Sequence, residues 1–223
     1  MKVDGTYFGD WGCLIVYKAG TDILYWQYAE REYVAVYEAG LGGLMENGYI
    51  ICGVTSDWHG SIVSSAEQLL PGIAHQRCLV HTQRLCQSLL TRNPQTEGGW
   101  VLLHIVHSLN AISNEYERNI WLRWLGEWKR RYEYLTKERT YATQPDGKKT
   151  WWYTHKNLRR AFLTLWDTQE HLFLYLEDKN LEKDTNGLEA EFKHLKAKMR
   201  SHAGMRKERR SAFIAWYLYF KNH

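Results

Sequence analysis

Along this chain the spacing of apolar positions changes from strand-like to helical. Residues 2–8, 12–19 and 22–29 are short runs rich in aromatic and β-branched side chains, separated by Gly9-Asp10-Trp11-Gly12 and by Gly20-Thr21-Asp22. Such runs, with turn chemistry between them, predict three strands in an antiparallel meander. Residues 33–47 follow a helical period, and Gly48 stands after them as a stop. Tyr49 to Thr55 is the most continuous apolar run of the set, the pattern of a strand covered on both faces. A helix over 60–70, closed by Pro71-Gly72, leads to a last strand near 73–80. The order βββαβαβ describes a mixed sheet with helices on its faces.

After residue 82 no further strand is expected. Residues 116–137 place Trp121, Trp124, Leu125, Trp128, Tyr132 and Leu135 at helical spacing, and residues 156–177 do the same with Leu158, Ala161, Phe162, Leu165, Leu172 and Leu176. Between them Gln144-Pro145-Asp146-Gly147-Lys148-Lys149 reads as a turn or exposed loop. Leu188, Phe192, Leu195 and Met199 mark a shorter helix, and 208–221 another. The expected organisation is an α/β core begun by residues 1–82, an all-α insertion over 83–180, and C-terminal helices over 181–223 that return to the core.

Composition sharpens this picture in two places. Seven of the eleven Trp fall between residues 100 and 166, so the middle is built differently from the start. The net charge of +4 is mild, yet from Lys193 to Arg210 there are eight Lys or Arg against one Glu, Glu208. Four cysteines in no regular framework suit a reducing compartment. No apolar stretch approaches the ~20 residues of a membrane span, and no charged-then-apolar leader is present. A cytoplasmic protein with no membrane partner is the expectation.

Three acids stand out by their settings. Asp4 lies in mid-strand, where Asp is disfavoured and a buried charge needs a partner. Asp57 ends the Tyr49–Ser56 run, and Glu189 opens the helix after Thr185-Asn186-Gly187-Leu188. Two carboxylates on neighbouring strand ends and a third on a distant helix can hold a pair of hard divalent cations for phosphoryl transfer. Each acid also has a plain structural reading. Asp57 could cap the helix that follows, Asn186 and Glu189 fit a variant capping box, and Glu191 rivals Glu189 as a ligand.

Taken together, Asp4-Gly5-Thr6-Tyr7-Phe8, Ser56-Asp57, Gln76-Arg77-Cys78-Leu79-Val80-His81 and Thr185-Asn186-Gly187-Leu188-Glu189, with Phe192-Lys193-His194-Leu195-Lys196, resemble the catalytic domain of a DDE transposase. The nearest likeness is to bacterial insertion-sequence transposases of the Mutator-like superfamily. The resemblance implies an RNase H-like fold with a five-stranded mixed sheet, and DNA cleavage and strand transfer at transposon ends with two Mg²⁺ or Mn²⁺ ions. It implies that Asp4, Asp57 and Glu189 are the catalytic, metal-binding acids, and that the chain works on transposon ends and target DNA near the nucleoid, as a homodimer on DNA. Such transposases usually carry an N-terminal end-recognition region, and here Met1 stands three residues before Asp4. A nuclease without strand transfer, or a truncated DNA-binding remnant, are the alternatives. Cys78 and His81 match a family motif of uncertain role; His75 extends them to His-x-x-Cys-x-x-His, but zinc usually takes two ligand pairs and no second pair is evident.

Lys193, Lys196 and Arg200 continue one helical face from Glu189, and Arg206, Lys207, Arg209 and Arg210 extend the charge, as a phosphate backbone requires. The Trp-rich helices read as core because their aromatics form one stripe. Trp151 and Trp152, beside Lys148-Lys149, are candidates to stack on a base flipped out at the cleavage site.

Overall fold

The computed structural model describes residues 1–202 and 204–222, with Asp10 and Lys207 described by their backbone alone. The chain divides into two compact units, Met1–Cys78 with Asp178–His223, and Leu79–Glu177.

The first unit is built on five strands: β1 (Lys2–Tyr7), β2 (Cys13–Ala19), β3 (Asp22–Ala29), β4 (Gly53–Ser56) and β5 (Ala74–Arg77). Their order is β3-β2-β1-β4-β5, with β1 to β3 antiparallel and β1, β4 and β5 parallel. This is the mixed sheet of an RNase H-like fold. Alternation along β2 explains the layers. Cys13, Ile15 and Tyr17 face α1 (Val34–Glu46) and α2 (Gly60–Leu69), packing with Tyr37, Leu41, Leu44 and Ile62. Leu14 and Val16 face α7 (Asn186–Ser201) and α8 (Lys207–Lys221), packing with Leu188, Phe192, Leu195, Ile214 and Leu218. Lys2, Asp4 and Thr6 sit opposite Lys18, Val16 and Leu14, so their side chains share the α7 face.

Two strands are shorter than their apolar runs predict. Of Tyr49–Thr55 only Gly53 onward is strand, and Ile50 is 90% exposed. The parallel neighbours explain it: β1 begins at Lys2, level with Thr55, and β5 begins at Ala74, level with Gly53. Residues 49–52 therefore have no strand to pair with. The expected strand over 73–80 ends at Arg77, because Leu79, Thr82, Cys86 and Leu90 are the buried face of a helix, α3 (Leu79–Leu90).

The second unit packs α3, α4 (Glu97–Ser108), α5 (Glu115–Lys137) and α6 (Lys156–Trp166) around Trp121, Trp128 and Phe162. Thr96 and Asn114 cap α4 and α5 by accepting from the amides of Gly99 and Glu117. The expected helix over 156–177 stops at Trp166 and continues as two 3₁₀ turns, Gln169–His171 and Leu174–Leu176. Nor is the unit all-α. β6 (Arg139–Thr143) and β7 (Lys149–Tyr153) form a hairpin after the point where strands were expected to cease. Its turn holds Asp146-Gly147, with Gly147 at φ +81°, flanked by Thr, Tyr and Trp. That pairing of a turn dipeptide with strand-forming neighbours is a hairpin signal. Among the described residues no helix is long and apolar enough to cross a membrane.

Candidate active site

Asp4 is 5% exposed on the central strand, and its Oδ1 accepts the Gly5 amide at 2.9 Å. The parallel register sets Lys2 beside Thr55, so two residues further on Asp57 comes level with Asp4. Asp57 is half-buried just past β4, and its Oδ1 accepts the His59 amide at 2.9 Å. Asp57 therefore shapes the turn but does not cap α2. The cap is His59, whose Nδ1 accepts from the Ser61 amide.

The backbone beside Asp57 is held in a costly shape. Trp58 has φ +71°, a left-handed conformation worth about 1–2 kcal/mol of strain for a residue with a Cβ. Its amide donates to Ser56 Oγ, which also bonds His75 Nε2 at 2.8 Å, and its ring lies 4.8 Å from the His75 ring. His75 is thereby spent on packing at the strand ends.

Glu189 lies in the first turn of α7, half-buried. The helix begins after Thr185, so Asn186 is its first residue and the variant capping box is not formed. Three contacts staple the preceding segment to the sheet. Lys2 Nζ pairs with Glu182 at 2.7 Å, Thr55 Oγ1 donates to the Glu182 carbonyl, and Thr185 donates its amide and hydroxyl to Cys78 Sγ at 3.4 and 3.6 Å. Cys78, fully buried, also donates its amide to the Ser56 carbonyl. It thus ties the strand end before Asp57 to the start of the helix that carries Glu189. His81 sits in the first turn of α3, in the second unit. Glu191 is committed elsewhere, to Lys18 at 3.5 Å and Lys221 at 3.1 Å.

Glu32 was invisible to sequence reasoning, since Glu30-Arg31-Glu32 reads as a polar turn. Its side chain is only 9% exposed, 3.7 Å from His59 Nδ1, and a Cβ on Gly5 would overlap its carboxylate. Burial, and then the negative charge of Asp57, push its carboxyl above the usual range, with His59 opposing. The folded chain then holds this proton more tightly than the unfolded one. Glu32 favours folding below its ordinary value of 4.5 and loses that contribution as pH rises through the raised one. Glu32→Gln should therefore raise the melting temperature at pH 8 by about 2–4 °C, the effect of ~1 kcal/mol in a chain of this size. The gain should vanish near pH 4; an equal gain at both pH values would trace it to packing and not charge.

Among the described residues no three His, Cys, Asp or Glu side chains are grouped so as to hold a metal ion. The donor chemistry nevertheless fits a hard cation. Asp4 on β1 and Asp57 just past the neighbouring β4 are both carboxylates, and Mg²⁺ needs only one or two from the protein, the rest coming from water and phosphate.

Lys193, Lys196 and Arg200 run along α7 from Glu189 at three- and four-residue steps. Lys193 and Arg200 are exposed, and Lys196 is half-buried with its ammonium 5.5 Å from the Phe8 ring centre. Arg206 and Arg209 are exposed, the Lys207 side chain lies outside the described residues, and Arg210 is half-buried over the Trp11 ring at 3.9 Å. Trp151 and Trp152 stand on β7 in the second unit, 47% and 49% exposed, with the Arg139 guanidinium 4.0 Å from the Trp151 ring centre.

Residues 15–211 match the family model described as "Transposase IS66 family". The chain belongs to the IS66 transposase family. It is thus a DDE-type transposase by family, of the kind that moves insertion sequences by DNA recombination. The matched span contains Asp57 and Glu189 and begins after Asp4. No curated protein matches the chain.

Proposed function

We propose that this chain cuts DNA at transposon ends and joins the freed 3′-hydroxyl to target DNA, with Asp4, Asp57 and Glu189 holding two Mg²⁺ or Mn²⁺ ions. The observation that carries this reading is that buried Asp4 on β1 comes level with half-buried Asp57 just past the parallel strand β4, while the sheet face that holds Asp4 packs against α7, the helix that carries Glu189. A bound cation pair would activate the attacking oxygen and stabilise the leaving one. The chain itself contributes the placing of those acids and a basic stripe along α7 for the phosphate backbone. The family match favours strand transfer over plain hydrolysis. The narrower likeness to Mutator-like transposases rests on the quoted motifs alone, while the family model that matches is that of the IS66 transposases. Paired transposon ends near the nucleoid, bridged by a dimer, are the setting this reading supplies.

Calorimetric titration with Mn²⁺ tests it without knowledge of the DNA ends. Wild type should bind, and Asp57→Ala and Glu189→Ala should each lose binding while keeping the fold by circular dichroism. Binding unchanged in both would refute the assignment.

The stripe makes a separate forecast. Log affinity for duplex DNA should fall against log salt with a slope of about −3 or steeper if Lys193, Lys196 and Arg200 each neutralise a phosphate. Replacing any one with Gln should reduce that slope by about 1. A flat salt response would refute phosphate contact on this face.

A further inference from the structure

Beyond the carboxylates, the first unit contains a cleft of about 490 Å³ that nothing above explains. One wall is the end of β1 and the turn after it, with Tyr7, Phe8 and Trp11; the other is the C-terminal half of α7 and the start of α8, with Lys196, Arg200 and Arg210. The volume falls within the ~300–1,000 Å³ of ligand pockets. Its composition is unusual for a surface groove. Tyr7, Phe8 and Trp11 line it together with Lys196, Arg200 and Arg210, with His202, Met199 and Met205 completing the lining, and no acidic side chain lines it among the described residues.

We infer that this cleft takes an unpaired nucleotide of the DNA end, its base against Phe8 and Trp11 and its phosphate among Lys196, Arg200 and Arg210. The inference rests on the DNA reading above and names what that site binds next to the cut. A solvated basic face needs no rings, and within a duplex the bases show a cleft their edges and not their faces, because the faces are stacked inside. Rings beside cations match a nucleotide whose base has left the stack, since every base has a face to stack and a phosphate at its side. Phe8 and Trp11 are already held for this: their ring centres lie 6.1 Å apart at 32°, and Lys196 and Arg210 approach them as cations. Burial, and then the neighbouring Arg200, lower the Lys196 ammonium below the ordinary lysine value, and a phosphate at its side would favour the charged form. The placement also suits the chemistry. Tyr7 and Phe8 end or follow the strand that carries Asp4, and Lys196 lies seven residues beyond Glu189 on one helix, about 10 Å along its axis. That is roughly three phosphates of a strand at ~3.4 Å each.

The test is fluorescence anisotropy in EDTA, so that no outcome depends on metal or cleavage. Labelled duplexes of one sequence are compared, blunt or with a short single-stranded 3′ overhang. Wild type should bind the overhang form about tenfold more tightly, the scale of stacking one base on an aromatic ring. Trp11→Ala should erase that preference and leave blunt binding within about twofold. In wild type, 5-iodouracil in the overhang should cross-link to the peptide holding Phe8 and Trp11, which decides the matter even if Trp11→Ala fails to fold. No preference in wild type, preference retained in a folded Trp11→Ala, or a cross-link to Trp151 or Trp152 would overturn the cleft assignment. A free deoxynucleoside monophosphate competing as well as the overhang would overturn the assignment to a DNA strand. Failure of both duplexes to bind at low salt would remove the DNA reading itself, a distinct result.

Discussion

Asp57→Asn should lower strand cleavage and transfer by at least about a thousandfold while leaving the protein folded. The same holds for Asp4→Asn. Each change keeps the shape of the side chain and removes one negative charge from a region where Asp4 is buried and Asp57 already raises the Glu32 carboxyl. A metal-binding arrangement without its cation is self-repelling, so in EDTA the melting temperature of either variant should hold or rise. Glu191→Gln is the contrast. It breaks the pairs with Lys18 and Lys221, which join α7 to β2 and α8, and should cost about 1–3 kcal/mol of stability without touching the chemistry. The assay is joining of a labelled 3′-hydroxyl end, taken from the DNA flanking the element, to plasmid with Mn²⁺. Asp57→Asn within tenfold of wild type would end the catalytic reading of that residue; full activity in a Glu191→Gln variant would separate the neighbouring acids on α7.

How much of this was legible in the sequence differs between the two units for physical reasons. The meander over β1 to β3 was readable because turn residues punctuate short strand-forming runs, and β2 alternates cleanly between two covered faces. The lengths of β4 and β5 were not, because strand length is set by partners distant in sequence. The run Tyr49–Cys52 is apolar enough for a strand and finds no neighbour. At the candidate site, the settings of Asp4, Asp57 and Glu189 were each open to a plain structural reading, and it was the resemblance of the surrounding motifs that grouped them; in the structure Asp57, just past β4, comes level with Asp4 on β1. What spacing could not show was Glu32, which reaches the site only because Gly5 has no side chain to block it. Nor could it show Cys78 as the tie between a strand end and the start of α7, since that contact joins residues 107 apart. The Asp146-Gly147 turn did carry a hairpin signal, and it was obscured by the helical period on either side.

Trp128→Ala should be the most destabilising single change in the second unit, costing about 3–5 kcal/mol. Trp128 is 1% exposed, stacks on Phe162 with ring centres 4.6 Å apart, and donates its Nε1–H to the Gly98 carbonyl at 2.7 Å. Truncation leaves a large void between α5 and α6 and an acceptor on α4 without its donor. Trp128→Phe refills most of the void and loses only the hydrogen bond, so its cost should be about 1–3 kcal/mol. Exposed Trp124, four residues earlier on the same helix, is the control: its replacement by Ala should fall within about 0.5 kcal/mol. Urea denaturation followed by circular dichroism measures all three. The second unit interrupts the first between Cys78 and Asp178, so melting it leaves a flexible loop of about 100 residues whose closure costs the first unit ~4 kcal/mol. Trp128→Ala should therefore weaken Mn²⁺ binding by the acids under mild urea, where the loop has opened, and leave it intact without denaturant. Equal costs for Trp128 and Trp124 would show that the Trp stripe is not the core of this unit.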